Sequence, residues 1–325
     1  MRRNIFLCSA MFLVTFMVSG ASAQMVGIDW IPTGSGARAI GMGGAFTAIA
    51  DDATAAWWNP AGLAQLERPE VSIVGQQRQI KSGVFKPSAS ELYSGSKDTT
   101  SLNFVSVVLP LGSASQGARK AVSISYGKFM DFDQYRESPS GYYSDNDGSF
   151  DNAALTFATE LSTSLSVGIG ANYIFGAMDE TDIDPSHEYR LHMKATGYNI
   201  AAGILWKTEN WNMGFMARSK TRLRMDASGE ETGSGPFHDI KILRYPIILS
   251  AGVAYRPAEN FTLSLDLQFL NLSDVNLGKD GNNVDIYQPR IGIEYLIITK
   301  GQNVIPIRLG GIFQSERVAR FRDRF

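Results

Sequence analysis

The chain has 325 residues, of which 30 are Lys or Arg, 32 are Asp or Glu and one is cysteine. Its formal net charge of −2 lacks the basic excess that a nucleic-acid partner requires, so we predict no nucleic-acid binding. Hydrophobic residues make up 44% of the chain, yet no run of about 18 apolar residues occurs beyond residue 23. This excludes a helical membrane protein for the mature chain. It does not exclude strands that cross a membrane, which need apolar side chains only at every second position.

The first 23 residues have the organisation of a secretory signal peptide. A basic Met-Arg-Arg start is followed by an apolar run over residues 5–18 and by the small residues Ala-Ser-Ala at 21–23. The apolar run is shorter than the ~20 residues of a membrane-spanning helix, which disfavours a membrane anchor. Cleavage after Ala23 removes Cys8, the only cysteine, so we predict neither a disulfide nor a Cys-ligated metal in the mature protein.

From residue 70 onward, apolar residues recur at every second position, which is the period of a β-strand. In the clearest segment, residues 164–175, apolar side chains on one face alternate with Ser, Gly and Asn on the other, and residues 260–269 repeat the pattern. About eleven such segments can be read, near 70–80, 100–109, 120–130, 150–161, 164–177, 187–206, 211–225, 244–256, 260–271, 285–298 and 303–314. Most are long enough to cross a bilayer at the tilt of a barrel strand, whereas strands of soluble sandwiches are usually shorter.

The connections between these segments alternate between long and short. Long polar stretches fall at 81–99, 131–149, 178–186, 226–243 and 272–284, and short ones at 110–119, 162–163, 207–210, 257–259 and 299–302. Outer-membrane barrels have longer extracellular loops and short periplasmic turns. We therefore predict an all-β protein of the outer membrane, a transmembrane antiparallel β-barrel in residues 70–325. Residues 24–69 would begin on the periplasmic side. A soluble β-sandwich, whose inner faces also alternate, is the alternative.

The strand count does not fit a complete barrel. Eleven is odd, whereas bacterial single-chain barrels have an even number of strands, so we expect 12–14. After Phe313 the remaining residues carry many charges and do not resemble a lipid-facing strand. Either the count is wrong or the chain is shortened at its C-terminus. The terminal Phe325 resembles the aromatic ending that the barrel-assembly machinery favours.

Residues 34–66 are rich in small residues and show no alternation, as expected of a segment that packs inside a barrel lumen. The run Gly-Ala-Arg-Ala-Ile-Gly-Met-Gly-Gly-Ala-Phe-Thr-Ala-Ile-Ala-Asp-Asp, followed by Trp-Asn-Pro-Ala-Gly-Leu, resembles the N-terminal hatch of the FadL/TodX family of outer-membrane transport proteins. It is equally similar to the opening of the related PorV/PorQ family. The resemblance implies a fourteen-stranded barrel plugged by its N-terminal segment, here residues 24–69.

The resemblance to FadL/TodX proteins implies an outer-membrane channel for passive uptake of hydrophobic small molecules such as long-chain fatty acids or hydrocarbons. A ligand would bind an outer groove, move to a lumenal site beside the hatch and leave sideways through the wall into the lipid bilayer. The residues implied as a moving gate or its support are Gly41, Met42, Gly43, Gly44, Phe46, Asp51, Asp52, Trp57, Trp58, Asn59, Pro60 and Ala61. The alternative is that these residues only pack the plug.

Four charged residues lie on the polar faces of predicted strands: Asp266, Arg290, Glu294 and Arg308. A basic residue facing lipid at the midplane costs ~2–4 kcal/mol, so we expect these side chains to point into the lumen and pair with one another or with the plug. The mature chain lacks a Gly-x-Ser-x-Gly elbow, and its three histidines lack metal-ligand spacing. We therefore predict no enzyme, no cofactor and no metal site.

Two other functions remain open at this point. A PorV-like protein would bind secreted proteins at a type IX secretion system, which makes secretion-system proteins its partners. A porin-like barrel would be purely structural or admit polar solutes. The predicted extracellular stretches are polar, for example at 88–100 and 138–149, and this favours transport of small molecules over docking of a folded partner.

Overall fold

The structure is a computed structural model that describes residues 34–85, 92–112, 118–138, 141–271, 285–299 and 303–313. The predicted signal peptide, residues 1–23, lies outside the described residues, as do residues 24–33 and the charged tail 314–325. Within the described ranges, no helix is both long and apolar enough to cross a membrane.

Short helices precede a long series of strands. The helical segments are α1 (Ala37–Gly41), α2 (Ala55–Trp58) and a 3₁₀ helix (Pro60–Gln65). The strands in the described ranges are β1 (Glu70–Phe85), β2 (Leu92–Leu111), β3 (Lys120–Asp131), β4 (Gln134–Glu137), β5 (Tyr143–Glu160), β6 (Leu165–Asp184), β7 (His187–Lys207), β8 (Trp211–Arg218), β9 (Thr221–Glu231), β10 (Gly235–Tyr245), β11 (Ile248–Ala258), β12 (Phe261–Leu270), β13 (Ile286–Ile298) and β14 (Val304–Ile312).

All these strands belong to one antiparallel sheet in which neighbours in sequence pair in space. β8 and β9 both pair with β7, so they form one pass through the wall, interrupted at Ser219 and Lys220. β10 pairs with β9, and β11 pairs with β8. Together β10 and β11 form the next pass, which is interrupted at Pro246 and Ile247. β4 only extends the sheet between β2 and β5. The described strands therefore make eleven passes, which correspond to the eleven segments read from the sequence.

The wall buries polar side chains and exposes apolar ones, the reverse of a soluble protein. On β7, Ile200 and Ile204 are 53% and 47% exposed on the outer face, whereas Asn199 on the inner face is 3% exposed. Other buried inward residues are Ser106, Ser123, Thr156, Asn172, Ser250, Ser264 and Gln288. An outward apolar surface requires lipid around it, so the distribution confirms a transmembrane β-barrel and not a soluble sandwich.

Aromatic side chains mark both edges of the outward apolar surface, which we call the membrane band. At the end with the short turns, Trp211 and Tyr255 lie opposite each other with ring centroids 4.5 Å apart, beside Trp206. At the other end, Tyr173 and Tyr198 are paired across β6 and β7 and are 51% and 72% exposed. Amphipathic rings prefer the headgroup level, so these two rows mark the membrane–water interfaces.

The long polar stretches expected as loops are largely strand. β1 and β2 stay paired up to Phe85 and Leu92, and β6 and β7 stay paired up to Asp184 and His187. Backbone hydrogen bonds between strands need no apolar side chain, so polar hairpins continue beyond the membrane band. The stretch 272–284 lies outside the described residues.

Candidate functional site: the hatch and the lumen

The described part of the predicted plug, residues 34–66, lies inside the wall, and we call it the hatch. Most of its side chains are buried, and its helices are only four to six residues long and are separated by tight turns. Asp52 accepts hydrogen bonds from the backbone N–H and the hydroxyl of Thr54, at 2.9 and 2.6 Å, and so fixes the turn before α2. Pro60 begins the 3₁₀ helix because it needs no hydrogen-bond partner for its nitrogen at a helix start.

Asn59 connects the parts of the hatch to one another and to the wall. Its side-chain Nδ2 donates to the carbonyl of Thr47 at 2.9 Å and to the carbonyl of Ile204 on β7 at 3.1 Å. Its Oδ1 accepts from the backbone N–H of Ala61 at 3.1 Å. Because the residue is fully buried, each of these bonds satisfies a group that water does not reach.

A belt of glycines in the wall allows the hatch backbone to lie directly against the strands. They form pairs that lie opposite each other across neighbouring strands, Gly168 with Gly203, Gly214 with Gly252 and Gly292 with Gly310. A Cβ added at Gly203 would lie 2.0 Å from Oδ1 of Asn59, and one at Gly310 would lie 2.0 Å from the backbone nitrogen of Gly43. Real Cβ atoms do not approach that closely, so a side chain at these positions would displace the hatch.

Near β13 and β14, the hatch is joined to the wall by an ionic network. Nε and Nη2 of Arg38 donate to the two carboxylate oxygens of Glu294 at 2.9 and 2.8 Å, and Nε of Arg308 donates to Oε1 of the same group at 2.7 Å. Arg38 also pairs with Asp51, which accepts a further bond from Arg256 at 2.8 Å. Burial alone would lower the pKa of Arg38, but its hydrogen bonds and ion pairs with Glu294 and Asp51 raise it above the ordinary arginine value.

A second charged pair holds the middle of the hatch. Oδ2 of Asp266 accepts a hydrogen bond from the backbone N–H of Thr47 at 2.7 Å. Nη1 of Arg290 donates to the carbonyl of Gly44 at 3.3 Å, and its guanidinium lies 5.6 Å from the ring centre of Trp58. Asp266 and Arg290 also face each other across β12 and β13.

Arg218 is a buried cation that the sequence interpretation missed. It lies at the extracellular end of β8 and is 4% exposed. Its guanidinium lies 4.6 Å from the ring centre of Trp57, and its Nη2 donates a hydrogen bond to the Trp57 carbonyl at 3.2 Å. A small cavity lies beside it, lined by residues of the hatch, β8, β11, β12 and β13: Gly34, Trp57, Trp58, Met216, Arg218, Ile248, Ser250, Gln268 and Arg290. The only sequence signal for this residue was its place on the polar face of its segment.

The side chains that line the lumen differ between the level of the hatch and the extracellular side. At the level of the hatch the inward side chains are mostly Gly, Ser, Thr and Asn, whereas on the extracellular side they become large and apolar. The buried apolar residues there are Phe129, Met130, Phe132, Phe150, Ile174, Met178, Leu191, Met193, Leu223, Met225, Leu243 and Tyr245. They connect to the hatch through aromatic contacts, since the ring centres of Trp57 and Phe129 are 6.3 Å apart and those of Phe129 and Tyr245 are 5.4 Å apart.

The structure thus brings most of the predicted site residues into contact with the wall or with each other. Gly41, Met42, Gly43 and Gly44 lie against β13 and β14, Asn59, Pro60 and Ala61 lie against β6 and β7, and Asp266, Arg290, Glu294 and Arg308 meet the hatch from the wall. Trp57 and Trp58 line the cavity, but Phe46 does not. Phe46 packs against Trp58 with ring centres 6.3 Å apart and lies beneath the guanidinium of Arg38.

No protein-family model matches the sequence, and no curated protein sequence matches it. Solved structures match in fold. The toluene transporter TodX of P. putida is 15% identical, with a TM-score of 0.58 over 87% of this chain and 83% of that chain. A FadL homologue of Pseudomonas aeruginosa is 14% identical, with a TM-score of 0.54 over 84% of this chain and 78% of that chain. These likenesses confirm the fold that the resemblance in residues 34–66 implies, an antiparallel β-barrel.

Proposed function

We propose that the protein is an outer-membrane channel for passive uptake of hydrophobic small molecules. The observation that carries this proposal is the apolar extracellular half of the lumen, which leads from residues such as Leu191 and Met193 through Phe129 to Trp57. A channel for polar solutes has a polar, water-filled interior. Apolar side chains along the path instead shield a hydrophobic ligand from water. Exposing apolar surface to water costs ~25 cal/mol per Å². The transport named for the toluene transporter of similar fold agrees with this proposal.

Methionines give the packed upper lumen a way to admit a ligand. Met130, Met178, Met193 and Met225 are all buried there and contact the same apolar cluster. An unbranched thioether side chain re-packs around guests of different shape more readily than a branched or aromatic one. We therefore assign ligand entry to rearrangement of these side chains above the hatch.

The hatch serves as the gate in this proposal. Trp57 and Trp58 form the floor of the apolar path, while Gly41–Gly44 and Asn59–Ala61 are the segments that slide against the glycine belt. Charged contacts through Arg38 and Arg290 hold the closed position. The hatch thereby blocks the lumen to ions and polar solutes while the apolar path above it stays available.

We assign the exit to the interruption in the wall beside the cavity. The ladder between two neighbouring passes is broken at Ser219–Lys220 on one pass and at Pro246–Ile247 on the other, at the same level. Proline cannot donate a ladder hydrogen bond, so pairing is weakened where it stands. The cavity lined by Trp57, Arg218 and Ile248 lies on the inner side of this break. A ligand leaving there enters the lipid without crossing water.

The proposal is tested by native mass spectrometry on protein extracted gently from outer membranes, with released ligands identified. A bound fatty acid or hydrocarbon is the expected result. The variant Met225→Gln, which places an amide in the apolar lumen, should lose most of this ligand. The matched control is Ile242→Gln on the neighbouring strand β10, where the side chain is 69% exposed on the outer face. That control should retain the ligand.

The competing functions give different outcomes. A stoichiometric partner protein with an empty lumen would replace the proposal with the PorV-like, secretion-associated function. Swelling of proteoliposomes in a small sugar, without retained apolar ligand, would replace it with a porin. Equal ligand retention by the Met225→Gln variant and the parent protein would remove the lumen from the path.

A further inference from the structure

Three arginines form a patch on the outer face of the wall. Arg222 and Arg244 lie directly opposite each other across β9 and β10, and Arg224 is the next outward residue along β9. Cβ atoms of directly opposite residues are about 5 Å apart, and next outward neighbours on one strand are about 7 Å apart. All three side chains are exposed, as is Lys194 on the adjacent strand β7.

The arginines of this patch carry uncompensated charge. Among the described residues, none of the three has an ion-pair or hydrogen-bond partner, and like charges directly opposite in a sheet repel. The nearest carboxylate on this face is Asp226, two residues after Arg224 on β9. It accepts a hydrogen bond from His238 at 2.8 Å. An arrangement of this kind is favourable when an anion bridges the cations, because each guanidinium presents a planar fork of donors to an oxyanion.

The height of the patch identifies the anion. Arg222 is in register with Tyr198 on β7, and Tyr198 is in register with Tyr173 in the extracellular row of aromatic residues. Below this row, Ile200 and Ile204 continue the membrane band on the same face of β7. The arginines therefore lie at the headgroup level of the outer leaflet, where aromatic belts also sit.

We propose that Arg222, Arg224 and Arg244 bind the phosphate groups of a phosphorylated glycolipid in the outer leaflet. The part of this glycolipid that lies in the membrane is lipid A. The acyl chains of that lipid lie along the membrane band below, and its phosphates bridge Arg222 and Arg244. The site lies outside the barrel, so it does not depend on the lumen or on the ligand proposed above. Bound glycolipid seals the part of the wall directly above the break at Ser219 and Lys220.

The test is native mass spectrometry of the whole protein in detergent with bisphosphorylated lipid A or with dephosphorylated lipid A of the same acyl chains. We expect about tenfold preferential retention of the phosphorylated lipid, given the strength of charge-assisted bonds between arginine and phosphate. The triple variant Arg222→Gln, Arg224→Gln, Arg244→Gln should lose this preference. Arg244→Gln alone should reduce it at least about twofold, since it removes one side of the bridge.

The matched control is Arg190→Gln, which removes an exposed charge higher on the outer face of β7, where Arg190 pairs with Glu188 at 2.6 Å. The control should keep the full preference. Equal retention of both lipids by the parent protein, or full preference in the triple variant, would overturn the proposal. Displacement of the lipid by millimolar inorganic phosphate would also overturn it, because the patch would then be a site for free phosphate. Heat-modifiable migration on gels verifies that each variant is folded.

Discussion

Glu294 is the residue through which the wall holds the start of the hatch. Its side chain is 3% exposed and accepts hydrogen bonds from both Arg38 and Arg308. Removing one member of a buried ionic group leaves the others desolvated without full compensation. Asp51 remains beside Arg38 in any variant of Glu294, and the Arg38 side chain is 25% exposed. The stability lost on removing the Glu294 charge is therefore smaller than for a fully buried ion pair.

We expect Glu294→Gln to weaken the seating of the hatch by about 1–3 kcal/mol. The measurement is amide hydrogen exchange, in which the backbone N–H groups of Ile40 and Gly44 should lose protection while the strands β5 and β6 do not. The control is Glu67→Gln, which removes a carboxylate that is 73% exposed and pairs with Arg119. If both variants leave the exchange of Ile40 and Gly44 unchanged, Glu294 does not hold the hatch.

Glu180 lies beyond the membrane band in the extracellular part of the β6–β7 hairpin, seven positions after Tyr173 of the extracellular aromatic row. Burial, followed by the charge of Asp182, raises its pKa to about 7, and Arg136 opposes this shift. A folded-state pKa above the ordinary value means that the folded hairpin binds more protons than the unfolded one between about pH 4.5 and 7. The stability of the hairpin therefore falls as pH rises through this range.

We expect Glu180→Gln to abolish that dependence and to make the hairpin more stable than the parent above pH 7. The measurement is the protection of hairpin amides against hydrogen exchange at pH 5 and pH 8, corrected for the intrinsic exchange rate. Glu188→Gln, a change on the same hairpin at a side chain 44% exposed, should keep the parental dependence. A Glu180→Gln variant with the same difference between the two pH values as the parent would show that another group titrates.

At the scale of elements, the glycine belt and the hatch determine each other's shape. Gly203 stands opposite Gly168, and a Cβ at Gly203 would overlap Asn59, which joins the turns of the hatch. We expect Gly203→Val to displace the hatch and to raise ion conductance through the barrel in planar bilayers. Gly75→Val is the control, because nothing lies within 4 Å of a Cβ added there. Conductance unchanged from the parent in Gly203→Val would show that the hatch tolerates the side chain.

The strands illustrate which features period-two alternation predicts. Asp266, Arg290 and Glu294 were assigned to the lumen because each lies on the polar face of an unbroken segment, and they are buried on the inner side of the wall. Arg218 was not singled out because 211–225 reads as one strand, in which unbroken alternation puts Arg218, Arg222 and Arg224 on the same polar face. The extra residue at Ser219–Lys220 shifts the inward positions from even numbers on β8 to odd numbers on β9, and a sequence pattern does not reveal where such a bulge falls.

At the scale of the whole molecule, the apolar side chains of β7 change sides at the extracellular row of aromatic residues, whereas Ile240 and Ile242 of β10 stay exposed on the outer face beyond that row. On β7 the apolar side chains point inward at Leu191 and Met193 but outward at Ile200 and Ile204. The sequence contains both runs, yet alternation alone does not show which face is lumen and which is lipid. Only the contacts of the folded chain distinguish them, and for this reason the apolar upper lumen was not predicted.

This change of sides fixes the depth of the barrel in the bilayer. Ala202 on β7 lies midway between the aromatic residues Tyr198 and Trp206 on the same outward face, and Thr196 lies on that face just beyond Tyr198. An arginine facing lipid costs about 2–4 kcal/mol at the midplane but only about 0–1 kcal/mol near the interface. We therefore expect Ala202→Arg to lower the free energy of unfolding by that larger amount and Thr196→Arg by the smaller.

The measurement is urea unfolding of the two variants in phosphatidylcholine vesicles, where folding and insertion are coupled. The comparison is internal, since both changes add the same side chain to the same face of one strand and differ only in height. Equal losses would mean that Tyr198 does not mark the interface and would move the arginine patch of β9 and β10 out of the headgroup region. A larger loss for Ala202→Arg places those arginines where phosphates are found, since Arg222 lies in register with Tyr198.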